Sequence, residues 1–346
     1  MKHWYVISIL IVVIATGSAL FNSCKKKDIA PPTTPLNFNI PYGFPQPVYS
    51  FSRNPVTAEG LELGRRLFYE GRLSKDGNYP CSSCHQQVAA FTTFEHDLSH
   101  GYNHSHTTRN APALANIAWQ PEYYWDGRSK SLEEISLAHI TSPTEMAETM
   151  ESVVNKLSGD TMYRRLSRAA YGSEQITSPR ILNALFQFVI NLVSANSRYD
   201  RMLKGEITFT IQEQAGYTFF QSKCATCHTE PLFTDNSYRN IGLPLDPFLK
   251  DYGRMKFTSN KSDSLKFRVP SLRNVLATAN YTHDGRIGTI RNMINHYRTG
   301  IVQSPTLDPL LVNGIPMTDT QVEQVVSFLR TLTDSSYLVN PRFSGQ

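Results

Sequence analysis

This chain of 346 residues predicts a mainly α-helical fold of two related domains with long loops and little sheet. Three observations carry that prediction. A C-x-x-C-H motif occurs twice, at Cys81, Cys84 and His85 and again at Cys224, Cys227 and His228. Each motif follows an apolar helical pattern (Leu63-Gly64-Arg65-Arg66-Leu67-Phe68 in one half, Ala215-Gly216-Tyr217-Thr218-Phe219-Phe220 in the other) and precedes a Phe-Thr pair, Phe91-Thr92 and Phe233-Thr234. No long run of alternating polar and apolar residues marks a sheet, whereas helical spacing recurs along the chain.

Residues 1–23 read as a secretory signal of lipoprotein type. Lys2 precedes an apolar run over 5–21, and Ser23 stands ahead of Cys24. Cleavage there and acylation of the Cys24 thiol would tether the chain to a membrane; a plain cleaved signal or an uncleaved anchor are the simpler readings. Residues 24–50 are a tether or linker, rich in Pro, Thr and Asn with no helical period. The first C-x-x-C-H domain is placed at 51–200 and the second at 201–346.

In the first, Thr57 is a helix N-cap, with Leu61, Gly64, Leu67 and Phe68 on one face. The stretch 70–80 is an insert before the motif that the second half lacks. Helical spacing continues over 131–137, 150–157 and 179–192, with Pro179 at a first helical position. A last amphipathic helix over 318–332 presents Val322, Val325, Val326 and Leu329 on one face.

C-x-x-C-H is the attachment signature of c-type haem. Two thiols add across the porphyrin vinyl groups, and the adjacent His reaches the iron as proximal ligand. A C-x-x-C pair without the His would equally describe a zinc half-site or a redox dithiol. Each half is therefore expected to be a cytochrome c-like domain around one covalent haem, with His85 and His228 as proximal ligands. Covalent haem is attached outside the cytoplasm, in keeping with an exported chain. The isoelectric point of about 8.8 gives no support to nucleic-acid binding. Four of the 34 basic side chains, Lys2 and Lys25 to Lys27, precede residue 28, which leaves 30 against 29 acidic ones.

The two halves together resemble the bacterial di-haem cytochrome c peroxidase family, including its branch that oxidises tryptophans of a partner protein. The likeness runs from about Thr57 to Leu332. Besides the two motifs it is carried by Arg109-Asn110-Ala111-Pro112, Trp125-Asp126-Gly127-Arg128, Glu145-Met146, Phe267-Arg268-Val269-Pro270-Ser271-Leu272-Arg273-Asn274 and Tyr281-Thr282-His283-Asp284-Gly285. The resemblance implies reduction of hydrogen peroxide to water at the N-terminal haem, with electrons from a small periplasmic carrier, cytochrome c or cupredoxin, entering at the C-terminal haem. It implies Glu145 as the distal acid/base carboxylate, where the plain alternative is a solvated helix start. It implies Trp125 as the aromatic between the haems, and calcium held by Asn110 with the carbonyls of Thr278 and Asn280. It also implies a homodimer, though no apolar stripe marks one.

Three departures from the family pattern bear on function. Ile135 stands where many relatives have a Gln in the peroxide pocket. The removable ligand of the peroxide-reacting haem, often His, falls at Tyr102 in an ungapped reading. His96, His100, His104 and His106 crowd the same loop; His100 is the preferred candidate, beside the alternative of no distal ligand at all. The second haem's usual Met is replaced by Tyr297, with Met293 and Met317 as rivals. Tyrosinate there would lower the potential relative to Met, and the tryptophan-oxidising branch has Tyr. A peroxidase on the periplasmic face of a bacterial membrane is the leading reading. An oxidase of a protein or organic substrate, a non-catalytic lipid-tethered electron carrier, and a zinc-stabilised structural lipoprotein are the alternatives.

Overall fold

The computed structural model describes residues 32–345. The expected signal segment and Cys24 lie outside the described residues. Residues Thr33–Gln346 make one compact unit, built from helices α1 (Ala58–Phe68), α2 (Leu132–Thr141), α3 (Met150–Ser158), α4 (Thr161–Tyr171), α5 (Ser178–Ile190), α6 (Arg198–Leu203), α7 (Ile211–Lys223), α8 (Ile290–Asn295) and α9 (Asp319–Arg330). Among the described residues the sheet is one antiparallel ribbon, β1 (Tyr238–Arg239) with β2 (Phe267–Arg268), pairing Tyr238 with Arg268. The fold is mainly helical, as expected, and no described helix is long and apolar enough to cross a membrane.

Local chemistry starts these helices. The Thr57 hydroxyl accepts from Gly60 N at 3.0 Å, as expected of an N-cap. Thr318 and Gln321 form a capping box at α9. At α5 the cap is Thr177, so Pro179 occupies the second helical position rather than the first. Helix α4 was not announced by apolar spacing, because its buried face is Tyr163, Ser167 and Ala170. Asp160 caps it, and Gly172 ends it in the left-handed region at φ 74°.

The two halves repeat one packing solution. Helix α1 lies on α5, and α7 lies on α9. A Cβ on Gly64 would sit 1.9 Å from the Ala184 carbonyl oxygen and 3.0 Å from Phe188 Cβ; on Gly216 it would sit 1.9 Å from the Gln324 oxygen and 3.0 Å from Phe328 Cβ. Each glycine thus lets two helices touch backbone to backbone, at matching places before the two haem motifs. Gly64→Ala or Gly216→Ala is expected to wedge its pair apart and destabilise the holoprotein by about 1–3 kcal/mol or more. Thermal unfolding checks this; an unchanged midpoint would contradict the shared close approach.

Three apolar clusters follow. Leu63, Leu67, Phe68, Phe91 and Phe188 centre the first, Phe220, Phe233, Val325 and Phe328 the second, and Phe44, Trp119, Tyr123 and Phe186 the third. Leu61 does not share the face of Leu67 as expected: it turns to the third cluster, and Leu63 takes its place in the first. The chain end returns to the first half, where Tyr337 and Phe343 pack beside Phe91. The segment expected as a free tether is fastened from Thr34 on. Leu36 N donates to Val56 O at 2.9 Å, and Trp119 Nε1 donates to Pro45 O at 2.8 Å with Phe44 edge-on to its ring.

Candidate active site

Each C-x-x-C-H folds as a tight turn in which the His N–H donates to the carbonyl of the first Cys, at 3.0 Å for His85 and 2.9 Å for His228. The imidazoles are then fixed from the far side. His85 Nδ1 lies 2.8 Å from Phe91 O, and His228 Nδ1 lies 3.1 Å from Phe233 O. A carbonyl can only accept, so Nδ1 carries the hydrogen and Nε2 keeps its lone pair. Both phenylalanines hold a left-handed backbone, φ 62° and 56°, an uncommon conformation for a bulky residue. It aims each carbonyl at its imidazole. Sequence alone marked the Phe-Thr pairs as a repeat but not this role, because the acting group is main chain.

Burial pushes His85 down to about 4 and lowers His228 as well. Both rings are neutral near pH 7, the form that ligates a metal. Burial pushes the Cys81 and Cys224 thiols up to about 12, the reverse of a reactive redox dithiol.

The second motif opens on a cavity of about 250 Å³ whose lining includes Cys224, Cys227, His228, Met293, Tyr297 and Trp125. Arg268 also lines it and is only 4% exposed. Its side chain makes one long bond, Nε to Tyr124 O at 3.5 Å, and no carboxylate pairs with it among the described residues. Burial lowers its pKa. A buried cation facing a cavity without an anion fits a ligand that brings its own carboxylates, as a haem brings two propionates. The thiol pair, the aimed imidazole and this guanidinium therefore suit haem c. Bound there, it would be held by Cys224, Cys227, His228 and Arg268; at the first motif it would be held by Cys81, Cys84 and His85.

The other expected residues fall as follows. Trp125 lines the same cavity; its Nε1 donates to Asn110 O at 2.8 Å and its carbonyl accepts from Arg268 N at 2.7 Å. It thus sits where the halves meet. Asn110, Thr278 and Asn280 all line this cavity too, and Asn280 has a left-handed backbone. Among the described residues no three His, Cys, Asp or Glu side chains are gathered to hold an ion. Tyr297 lies at a π-helical turn, His296–Gly300, the kind of bulge frequent at functional sites. Met293 shares its cavity, while Met317 packs against the second cluster.

Around the first motif, Glu145 is brought in by the turn after α2. Glu145 N and Ala147 N both donate to Ser142 O, at 3.1 and 2.9 Å, and Ala147 has a left-handed backbone. The carboxylate reaches back to α2, where Oε2 accepts from His139 Nδ1. Glu145 and His139 both lie close enough to His85 for their charges to act on it. Sequence reasoning passed over His139, since nothing but the turn brings residues six apart together. The loop carrying His100 closes over the same place: Cys84 Sγ is 3.9 Å from His100 O, and Tyr102 N donates to Glu145 O at 2.8 Å. The His100 ring stands between His96 and His106, with centroids 4.9 and 4.6 Å away. Tyr102 lies under Lys75 Nζ. Ile135 packs against the third cluster.

The halves are joined by charge as well. Arg109 donates to Asp126 at 2.7 Å and to Asp251 at 2.6 and 2.9 Å. Burial alone would raise Asp251, but the bonds and charge of Arg109 hold it below the usual carboxylate range. A depressed carboxyl stabilises the fold above its unfolded pKa, about 3.9, and that contribution is lost as pH falls through the lower folded value. Arg109→Met is expected to cost about 3–5 kcal/mol near pH 7 and to flatten the acid limb. Urea midpoints between about pH 3 and 6 check it; an unaltered limb would contradict the joint.

A family model for di-haem cytochrome c peroxidase matches residues 58–208, and one for cytochrome c matches 213–333. The chain is 33% identical over 303 residues to a methylamine utilization protein MauG of Methylorubrum extorquens, covering 85% of this chain and 83% of that one. It is 33% identical over 283 residues to a cytochrome c551 peroxidase of Nitrosomonas europaea, covering 81% of each. A crystal structure of a MauG-like protein associated with microbial copper homeostasis superposes with a TM-score of 0.82 at 33% identity, over 90% of this chain and 99% of that one.

Proposed function

This chain belongs to the di-haem cytochrome c peroxidase family, and from that premise we propose that it reduces hydrogen peroxide to water with electrons from a small periplasmic donor. It is a haem-dependent peroxidase with two cytochrome c-related domains. We assign the peroxide-reacting site to residues 51–200 and the electron-entry site to 201–346. Attachment of the chain to the membrane through Cys24 and pairing into a homodimer belong to the same proposal.

The single observation that carries it is Glu145 beside the first motif. The haems, when bound, supply the one-electron chemistry, and the chain supplies the rest. Phe91 O and Phe233 O hold the two imidazoles with Nε2 outward. Glu145, half-buried, takes a proton from one peroxide oxygen and returns it to the other, so that water can leave. Trp125, bonded to both halves, is the aromatic link between the sites. Asn110, Thr278 and Asn280 supply oxygen atoms suited to calcium.

A second reading, an oxidase of a protein or organic substrate, is favoured by Tyr297 in the cavity wall beside His228. Turnover with a reduced cytochrome c separates the two. Peroxide reduction takes two electrons, so two equivalents of a one-electron donor should be oxidised per peroxide consumed. Peroxide consumption that leaves the donor reduced would favour the oxidase.

A further inference from the structure

Peroxide reduction, H2O2 + 2 H+ + 2 e− → 2 H2O, consumes protons from outside the site. A carboxylate that only moves a proton between the two oxygens does not supply them. The group in contact with that carboxylate is His139, and nothing in the family resemblance called for it.

We propose that His139 is a proton-relay residue acting through Glu145, a reading that rests on the role given to Glu145 above. Two observations carry it. First, the bond runs from His139 Nδ1 to Glu145 Oε2, which leaves Nε2 for solvent. The His139 side chain is 39% exposed against 24% for Glu145, so the imidazole forms the step between water and the more enclosed carboxylate. Second, His139 lies in the last turn of α2 and stands one turn after Ile135 on the same helix. An apolar residue at 135 turns to the third cluster, and the polar partner for the site is offered from 139 instead.

The groups around His139 are Glu145 from the turn after α2, the Tyr124 ring at 5.7 Å with the Arg128 guanidinium over that ring at 3.8 Å, and the buried His85. In the relay Nε2 takes up a proton from solvent as the Nδ1 proton passes to Glu145 Oε2, so one proton moves from solvent to the carboxylate. The ring, left protonated at Nε2, regains its Nδ1 proton by exchange with solvent, and no electron moves.

The test compares holoprotein carrying His139→Ala, His139→Gln and Glu145→Ala with wild type. It reads kcat/KM for peroxide across pH, with and without added imidazole. His139→Ala is expected to lose roughly ten- to a hundred-fold in kcat/KM, to lose one limb of the pH profile and to recover with imidazole. His139→Gln keeps a donor for the carboxylate but no relay, so it should stay slow. A glutamine variant with wild-type rate and profile would overturn the relay. So would a silent His139→Ala beside a crippled Glu145→Ala. If Glu145→Ala is itself silent, the role given to Glu145 fails, and the relay fails with it.

Discussion

Glu145→Ala is expected to lower kcat/KM for hydrogen peroxide by roughly a hundred- to ten-thousand-fold, the range over which a positioned acid/base group acts. The loss should be of chemistry rather than of fold. The Glu145 side chain bonds to His139, whereas its main chain donates to Ser142 O and accepts from Tyr102 N, and the main-chain bonds survive the substitution. The visible spectrum of the loaded protein should therefore stay that of wild type while turnover falls. Glu145→Gln should be nearly as slow, since an amide keeps the shape and the bond to His139 but exchanges no proton. Steady-state peroxide kinetics on loaded protein decide it. A loss below about tenfold would remove Glu145 from the proton chemistry.

The second large effect is expected at Arg268. Two other enclosed arginines with charge partners show what is missing there. Arg273 donates to Asp200 at 2.8 and 3.0 Å, and Arg109 has Asp126 and Asp251. Arg268 has one weak carbonyl contact and the cavity. If the carboxylates of a haem held by Cys224, Cys227 and His228 complete it, then Arg268→Met strands a buried anion. It should cost the holoprotein about 3–5 kcal/mol, the usual consequence of removing one partner from a buried pair. Losing a positive charge also favours the ferric state, so the midpoint potential of the second haem should fall. Arg268→Lys should recover part of both. Redox titration with thermal unfolding provides the check. An unchanged potential together with equal or greater stability would show that no anion meets the guanidinium.

What the sequence made legible was whatever is written in side chains at fixed spacing. The two C-x-x-C-H motifs and the repeat around Gly64 and Gly216 follow local rules, and the Thr57 cap and the α9 helix after Thr318 stand in the structure as read. The less legible features depend on the chain coming back to itself. His139 meets Glu145 only because the turn at 142–147 reverses direction. Phe91 and Phe233 act through carbonyls, which no residue type reveals. Arg268 was visible as part of Phe267-Arg268-Val269-Pro270, but only its isolation from the described carboxylates gives it a task. Tyr337 closes the first core from the far end of the chain, and Phe44 fastens a stretch that composition alone describes as linker. Periodicity is silent on contacts of such long range.

The central claim is that peroxide reacts beside Glu145 while the second site feeds it electrons. Rapid mixing of the half-reduced, calcium-loaded holoprotein with hydrogen peroxide, followed by visible spectroscopy, tests this most directly. The expected result is a fast change at the first haem together with loss of the reduced band of the second, complete at one peroxide per protein. A reduced band that survives excess peroxide, with both haems low-spin throughout, would contradict the claim and leave an electron carrier.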